Sequence, residues 1–287
     1  MKPPFVTACP VGCEEPLRTT DIALPEGPLR RCTGCGQLSS QCTEERYRSS
    51  MQEFDDEEGT LPKPDARQRR FVRSKRYLEQ IEALLGKPRN AIRLLDVGCS
   101  SGYFLGVARQ LGFQAEGVEP GERAVRTARA AGLTVHSGLL EDIPLPERSF
   151  DAIVLFEVME HLRDALYVVQ GCNRLLRQGG ICIIGTGNTA SWTFRAMQSR
   201  WEYLQIEKHG GHVSFFNPVS MKMLAYRSGF VIEKIHTRSV SLFNREDCHP
   251  VLYRTAKIIC EILEAPARWL GKGHDMLVFM RKREITH

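Results

Sequence analysis

The chain has 287 residues, of which 42% are apolar and 25% charged, and 39 Lys and Arg against 34 Asp and Glu give a net charge of +5. This composition excludes a fibrous or wholly disordered protein, and so mild a charge permits an anionic partner without requiring nucleic acid. No apolar run approaches the roughly 18 residues of a membrane span, and the N-terminus has no apolar signal core. Ten cysteines without such a signal favour a reducing compartment, so we expect a cytoplasmic protein.

Four of the cysteines lie in the first 35 residues, in a segment rich in Pro and Gly that lacks apolar periodicity. Three residues separate Cys9 from Cys13, two separate Cys32 from Cys35, and 18 residues lie between the pairs. This spacing is typical of a four-thiolate zinc ribbon, in which a structural Zn²⁺ supplies folding energy that a small core cannot. The alternative is a set of free thiols or a redox pair. We predict a zinc-binding ribbon module over residues 1–46, with these four cysteines as ligands.

Two charged segments follow the cysteines. Residues 53–58 carry five acids in six positions, and the Gly and Pro residues after them predict an acidic, Pro-containing linker over residues 47–69. Residues 63–76 carry seven bases and one acid. We interpret this basic run as a solvated helix face, because no interleaved aromatic pattern accompanies it and RNA binding is not favoured.

From residue 70 onward the pattern alternates between strands and helices. Strands are predicted at residues 92–97, 114–119, 133–137, 150–156, 181–185, 230–236 and 276–281. Helices are predicted at residues 71–85, 102–111, 122–131, 162–177 and 253–263. The β-α-β order predicts a parallel sheet covered by helices on both faces, forming one α/β domain over residues 70–287.

The first strand of this domain runs into a small-residue turn, Asp96–Gly102, and then into a helix. Small residues let a ligand approach the backbone, and a helix N-terminus offers free N–H groups. The dinucleotide fingerprint needs glycine at 98, 100 and 103 and is matched only at Gly98, and the P-loop motif is absent. A carboxylate at Asp96 would repel a pyrophosphate, but it suits an amino or hydroxyl group on a cationic ligand. Glu119, at the end of the second strand, is placed to accept hydrogen bonds from ribose hydroxyls.

These segments, together with Ser149–Val154, Glu157–Leu162 and Leu176–Gly180, resemble the class I S-adenosylmethionine (SAM)-dependent methyltransferases over about residues 71–240. The resemblance implies a Rossmann-like seven-stranded sheet of order 3-2-1-4-5-7-6 with an antiparallel last strand, here preceded by the small zinc ribbon. It also implies that Asp96 and the turn face the methionine end of SAM, and that Glu119 binds the ribose. The residues assigned to SAM are Asp96, Gly98, Cys99, Ser100, Gly102, Glu119, Pro120, Leu139, Leu140, Glu141, Phe156 and Glu157.

The sequence departs from the family pattern at two of these positions. Ser100 replaces the middle glycine of the turn. Leu139 stands where the family often has an Asp that holds the adenine amine. Adenine therefore relies on the backbone around Leu139 and Leu140, with Glu141 as a further contact.

The segment His209–Phe216 resembles the H-x-x-F-F segment of many small-molecule methyltransferases, which implies a lid over the open end of the sheet. A neutral imidazole is suited to removing the acceptor's proton. His212 is the first candidate base and His209 the second; the alternative is a histidine that only hydrogen-bonds to backbone.

A cysteine ribbon ahead of such a domain resembles bacterial methyltransferases of sugar and surface-polysaccharide pathways. We therefore predict a SAM-dependent methyltransferase that methylates O, C or N of a small-molecule acceptor, such as a nucleotide-linked sugar or a surface-glycan precursor. One alternative is a zinc-containing rRNA or tRNA base methyltransferase. The other is a catalytically inactive SAM-binding scaffold.

Overall fold

The computed structural model of the protein describes residues 2–58, 64–206, 211–242 and 250–284. Two β-sheets organise these residues, one of four strands and one of seven. None of the helices in the described ranges is long and apolar enough to cross a bilayer.

The smaller sheet is antiparallel and combines two distant parts of the chain. Its strands, in order across the sheet, are β1 (Leu17–Thr19), β2 (Arg30–Cys32), β3 (Leu38–Ser39) and β9 (Ser214–Phe215). In the pairing of β3 with β9, Leu38 lies opposite Phe215 and Ser39 opposite Ser214. The N-terminal segment is therefore joined by strand pairing to a part of the chain that follows the larger sheet's parallel strands.

The larger sheet has the predicted topology. Across the sheet its strands are β6 (Val135–Ser137), β5 (Gln114–Glu119), β4 (Arg93–Val97), β7 (Phe150–Phe156), β8 (Leu176–Gly187), β11 (Asp275–Lys282) and β10 (Phe230–Arg238). The strands from β6 to β8 are parallel, and β11 is antiparallel to both of its neighbours. Counted from β4 as strand 1, the order is 3-2-1-4-5-7-6, so the predicted Rossmann-like fold class is confirmed.

Eight α-helices are assigned in the described ranges. They are α1 (Glu44–Glu58), α2 (Pro64–Leu85), α3 (Tyr103–Gln110), α4 (Glu122–Ala130), α5 (Ala165–Leu175), α6 (Trp192–Met197), α7 (Pro218–Arg227) and α8 (Pro250–Trp269). Side chains fix several of the N-termini. The carboxylate of Asp164 accepts from the Tyr167 amide at 3.0 Å, and Asn217 caps α7 in a reciprocal capping box with Ser220.

Two stretches differ from the sequence predictions. The sequence suggested a linker over residues 47–69, but helix α1 runs through residues 47–58 and helix α2 begins at Pro64. Residues 59–63 lie outside the described residues. Helix α5 ends at Leu175, and β8 begins at the next residue, so Gly179 and Gly180 do not end the helix as predicted. They form an irregular step within β8, where Gly179 has a φ of 71° and a β-carbon on Gly180 would lie 2.9 Å from the Arg177 carbonyl oxygen.

Alternating side chains of the central strand β7 pack on opposite faces of the sheet. Ile153 and Leu155 join a buried cluster that includes Val169 of α5. Ala152 and Val154 join a second buried cluster that includes Leu78 of α2. A parallel sheet covered on both faces explains why this strand is a continuous apolar run in the sequence.

Asp151 holds the starts of three strands together. Its buried carboxylate accepts from Lys87 Nζ at 2.7 Å, the Arg93 amide at 2.9 Å and Arg177 Nη1 at 2.8 Å. Burial by itself would raise the pKa of Asp151, but the hydrogen bonds from Lys87, Arg93 and Arg177 lower it below its ordinary value.

We expect Asp151→Asn to lower the free energy of unfolding by about 2 kcal/mol at pH 7, because an amide keeps the shape but loses charge-assisted hydrogen bonds. The contribution of Asp151 is complete above the unfolded-state pKa of about 3.9 and is lost as pH falls through the lower folded-state pKa. Urea unfolding at pH 7 and pH 3.5 measures both effects. Exposed Asp142 provides the control Asp142→Asn, and equal stability of the two variants at pH 7 would contradict this account.

Candidate active site

The turn after β4 has a backbone that favours glycine at three positions. The φ angles are 70° at Gly98, 48° at Ser100 and 79° at Gly102. The amides of Gly98 and Cys99 both donate to the Val118 carbonyl, at 2.8 and 3.2 Å, which fixes the turn against β5. Ser100 therefore adopts the left-handed conformation at a steric cost that the glycine common in the family avoids.

Glu119 connects this turn to the loop after β5. Its Oε2 accepts from the Ser100 amide at 2.8 Å, and its Oε1 accepts from the Gly121 amide at 2.8 Å. A carboxylate oxygen can accept more than one hydrogen bond, so these backbone contacts are compatible with a ligand hydroxyl at the same carboxylate.

Asp96 lies at the end of β4, and its side chain is buried, with 3% of the residue surface exposed. Burial, followed by the nearby charge of Glu119, raises the pKa of Asp96 to about 8. A cationic group beside Asp96 would reverse this shift, because an opposite charge stabilises the ionised carboxylate. The site therefore favours a positively charged ligand group at this position.

Two adjoining cavities open at the carboxyl ends of the parallel strands. The Glu119 cavity, of about 790 Å³, contains Glu119, and the Asp96 cavity, of about 600 Å³, contains Asp96. Both volumes fall in the range of small-molecule sites. The residues that line both cavities are Arg70, Gly98, Ser100, Phe156, Glu157, Glu202 and Tyr203.

The residues assigned to SAM from the sequence are distributed over these cavities. Glu119, Pro120, Leu139, Leu140 and Glu141 line the Glu119 cavity. Asp96 and Cys99 line the Asp96 cavity, and Gly98, Ser100, Phe156 and Glu157 line both. Gly102 lies behind the turn, where a β-carbon would meet Leu133 Cδ1 at 2.4 Å, and it lines neither cavity.

A polar cluster that the sequence analysis missed lies where the two cavities meet. The Tyr203 hydroxyl donates to Glu157 Oε2 at 2.7 Å, and Asp275 Oδ1 lies 3.3 Å from the same hydroxyl. Arg238 donates to Asp275 at 3.4 Å and to the Tyr77 hydroxyl at 2.6 Å. Of these residues, the sequence analysis assigned a role only to Glu157. The fold brings the others to it from distant parts of the chain.

Glu157 combines several features of a functional residue. Its backbone has a φ of 56°, a strained conformation for a residue with a side chain. The residue is exposed where it borders the junction of the cavities. Desolvation of its carboxylate by the surrounding protein atoms, followed by the charge of Glu160, raises its pKa. Glu160 itself is buried, and its Oε2 has no hydrogen-bond partner among the described residues.

His212 is buried and lines the Glu119 cavity. Its Nδ1 lies 2.8 Å from the Tyr203 carbonyl oxygen. A carbonyl can only accept, so Nδ1 carries the proton and Nε2 is the basic nitrogen of the neutral ring. The second candidate, His209, lies outside the described residues.

The four N-terminal cysteines converge as the sequence predicts. Their Sγ atoms all lie within 4.8 Å of one another, all four residues are buried, and none is in a disulfide. Sulfurs around a tetrahedral zinc lie about 3.8 Å apart when Zn–S is about 2.3 Å, so this donor set fits a zinc ion. Hydrogen bonding with the Cys35 thiol lowers the pKa of Cys9 to about 6, and burial raises that of Cys13.

Residues 66–235, more than half of the chain, match the family described as a methyltransferase domain. The chain belongs to this family. It is 32% identical over 102 residues to a Mycolicibacterium smegmatis protein named "Probable S-adenosylmethionine-dependent methyltransferase", a match that covers 35% of this chain and 40% of the relative. It is 30% identical over 122 residues to the ubiquinone biosynthesis O-methyltransferase of Cereibacter sphaeroides, covering 40% and 49%. The matched segments span less than half the length of either relative.

Solved structures share the fold. A SAM-dependent methyltransferase from Archaeoglobus fulgidus aligns with a TM-score of 0.51 at 18% identity, covering 73% of this chain and 94% of that one. The YcgJ protein of Bacillus subtilis aligns with a TM-score of 0.51 at 17% identity, covering 74% and 98%.

Gly98 and Gly106 provide a matched pair of glycine substitutions. A β-carbon at Gly98 would lie 2.5 Å from Val158 Cγ2, whereas at Gly106, within α3, it would meet nothing within 4 Å. We expect Gly98→Ala to cost about 2 kcal/mol through left-handed strain and crowding, and Gly106→Ala to add up to about 1 kcal/mol of stability. Thermal unfolding of both variants measures the difference, and a neutral Gly98→Ala would refute the described turn.

Proposed function

We propose that the protein is an enzyme that transfers a methyl group from SAM to a hydrophilic small-molecule acceptor. The observation that carries this proposal is the pair of carboxylates, Asp96 and Glu119, at the ends of neighbouring strands. Asp96 lines one of two adjoining cavities and Glu119 lines the other. The turn after β4, whose small residues let a ligand approach the backbone, lines both. SAM has an ammonium group in its methionine part and ribose hydroxyls in its adenosine part, which matches these two acids.

The proposal gives each carboxylate one task. Asp96 holds the ammonium group, whose charge offsets the burial of the carboxylate. Glu119 accepts hydrogen bonds from the ribose hydroxyls while its contacts to Ser100 and Gly121 keep it in place. Leu139 and Leu140, which line the same cavity, cover the adenine.

When bound, SAM supplies a methyl group on a positively charged sulfur to a nucleophile held in line with the breaking carbon–sulfur bond. In the proposal, Glu157 and Tyr203 orient the acceptor at the junction of the cavities. His212 accepts the acceptor's proton on Nε2, because Nδ1 is committed to the Tyr203 carbonyl.

The proposal includes a structural zinc ion bound by Cys9, Cys13, Cys32 and Cys35, the cluster whose sulfur spacing fits a tetrahedral site. Four thiolates fill the coordination of zinc, so such an ion has no open position for catalysis. A reducing compartment such as the cytoplasm keeps these thiols available, which supports the expected localisation.

The charges around the Asp96 cavity favour an acceptor with an anionic end and several hydroxyls. Arg70 and Arg73 are exposed on α2 and line this cavity, and their guanidinium groups form no hydrogen bond or ion pair with another described residue. In the same cavity, Glu157, Glu202 and Asp275 offer acceptors for hydroxyl groups. A nucleotide-linked sugar or surface-glycan precursor has this combination, and an apolar acceptor does not.

We expect Glu119→Ala to weaken SAM binding about 100-fold, because two hydrogen bonds to a charged group contribute about 3 kcal/mol together. Isothermal titration calorimetry with SAM measures the loss. The control is Glu122→Ala, an exposed acid of α4 that lines neither cavity. Unchanged affinity in Glu119→Ala would contradict the proposed function.

The anionic end of the acceptor is tested with UDP as a probe, on protein saturated with S-adenosylhomocysteine. We expect UDP to bind and Arg73→Ala to weaken it about tenfold through loss of a charge-assisted hydrogen bond. Arg69→Ala, on the same helix but outside the cavity lining, is the matched control. An equal UDP affinity in the two variants would argue against an anion site on α2.

A further inference from the structure

The cysteine cluster is connected directly to the chain segment that covers the cavities. We define the lid as residues 201–206 and 211–217. The Asn217 side chain donates to the Cys35 carbonyl at 3.3 Å, within the loop that carries two of the cysteines. The Ser40 amide donates to the Val213 carbonyl at 3.0 Å, next to the pairing of β3 with β9.

Apolar packing connects the same two parts of the chain. Leu29 and Leu38 of the N-terminal segment are fully buried in a cluster with Trp201, Tyr203 and Phe215 of the lid. The small sheet and the lid therefore contribute side chains to one shared hydrophobic cluster.

The lid carries the side chains that face the cavities. Tyr203 lines both cavities and bonds to Glu157, and His212 lines the Glu119 cavity. The lid is also fixed to the segment after β7, because the Val213 amide donates to the Glu160 carbonyl at 2.8 Å. The lid is therefore anchored on two sides, to the segment after β7 and to the N-terminal segment.

Helix α1, which follows the cysteine module in the chain, also borders the Glu119 cavity. Tyr47, Met51 and Gln52 line the cavity, and the Tyr47 hydroxyl donates to the His161 carbonyl at 3.1 Å. A β-carbon at Gly211 would lie 2.3 Å from the Tyr47 ring, so α1 and the lid are in close contact.

We propose that the four-cysteine module supports the lid from outside the cavities, and that its metal ion sets the position of Tyr203 and His212. The proposal rests on the zinc ion of the proposed function. It assigns the module a positioning role within the enzyme rather than the docking of a separate macromolecule. The strand ends that bear Asp96 and Glu119 are held together by the pairing of β4 with β5. The four cysteines reach the buried cluster on one face of that sheet, which includes Leu95 and Val97 of β4. The proposal expects the strand pairing to persist without the metal.

Hydrogen exchange measured by mass spectrometry tests the proposal without an acceptor. We expect removal of zinc by a chelator to speed amide exchange in the lid at least tenfold. Strands β4 and β7 keep their protection, and S-adenosylhomocysteine still binds. Unchanged amide exchange in the lid after the metal has been removed would overturn the proposal. An equal loss of protection in β4 and β7 would also overturn it, because the metal would then stabilise the whole fold rather than the lid.

A variant that leaves the cysteines intact keeps the test independent of chelation. We expect Leu38→Ala to retain one zinc per chain and still speed lid exchange at least tenfold, because it removes packing against Trp201 and Phe215. Leu105→Ala, a fully buried leucine in a separate cluster, is the control. Equal lid exchange in the two variants would overturn the proposal. A purified protein without metal would refute the zinc assignment, while retained S-adenosylhomocysteine binding would leave the proposed methyl transfer standing.

Discussion

The carboxylate of Glu119 is the contact on which the rest of the site depends. It joins the turn after β4 to the loop after β5 through backbone amides of both. Because the two strands are parallel neighbours, their ends meet at one edge of the sheet, and the carboxylate makes that edge a single rigid surface. Asp96 and Gly98 lie at this edge, and both cavities open beside it.

A second constraint is the pairing of β3 with β9. Two residues on each strand join the cysteine module to the lid, and a shared apolar core extends that contact. The N-terminal part of the chain thus contributes Tyr47, Met51 and Gln52 to the lining of the Glu119 cavity, beside the ends of the parallel strands. The Asp96 cavity is lined by residues from position 70 onward.

The sequence predicted the larger sheet well, because its buried strands are apolar runs bounded by glycine and charged residues. The predictions at residues 114–119 and 150–156 coincide with β5 and β7. The small sheet was not predictable, since strands of two or three residues have no periodicity. The cluster of Tyr203, Glu157 and Asp275 depends on tertiary contacts between distant residues. Arg70 and Arg73 were interpreted as a solvated face, because a basic run does not reveal which helix face borders a cavity.

A crystal structure of the protein with S-adenosylhomocysteine tests the central claim most directly. The account predicts that the adenosine occupies the Glu119 cavity, with ribose hydroxyls within hydrogen-bonding distance of Glu119 and the amino group of the ligand beside Asp96. A ligand bound elsewhere on the chain, or bound in the crevice without contact to either carboxylate, would contradict it.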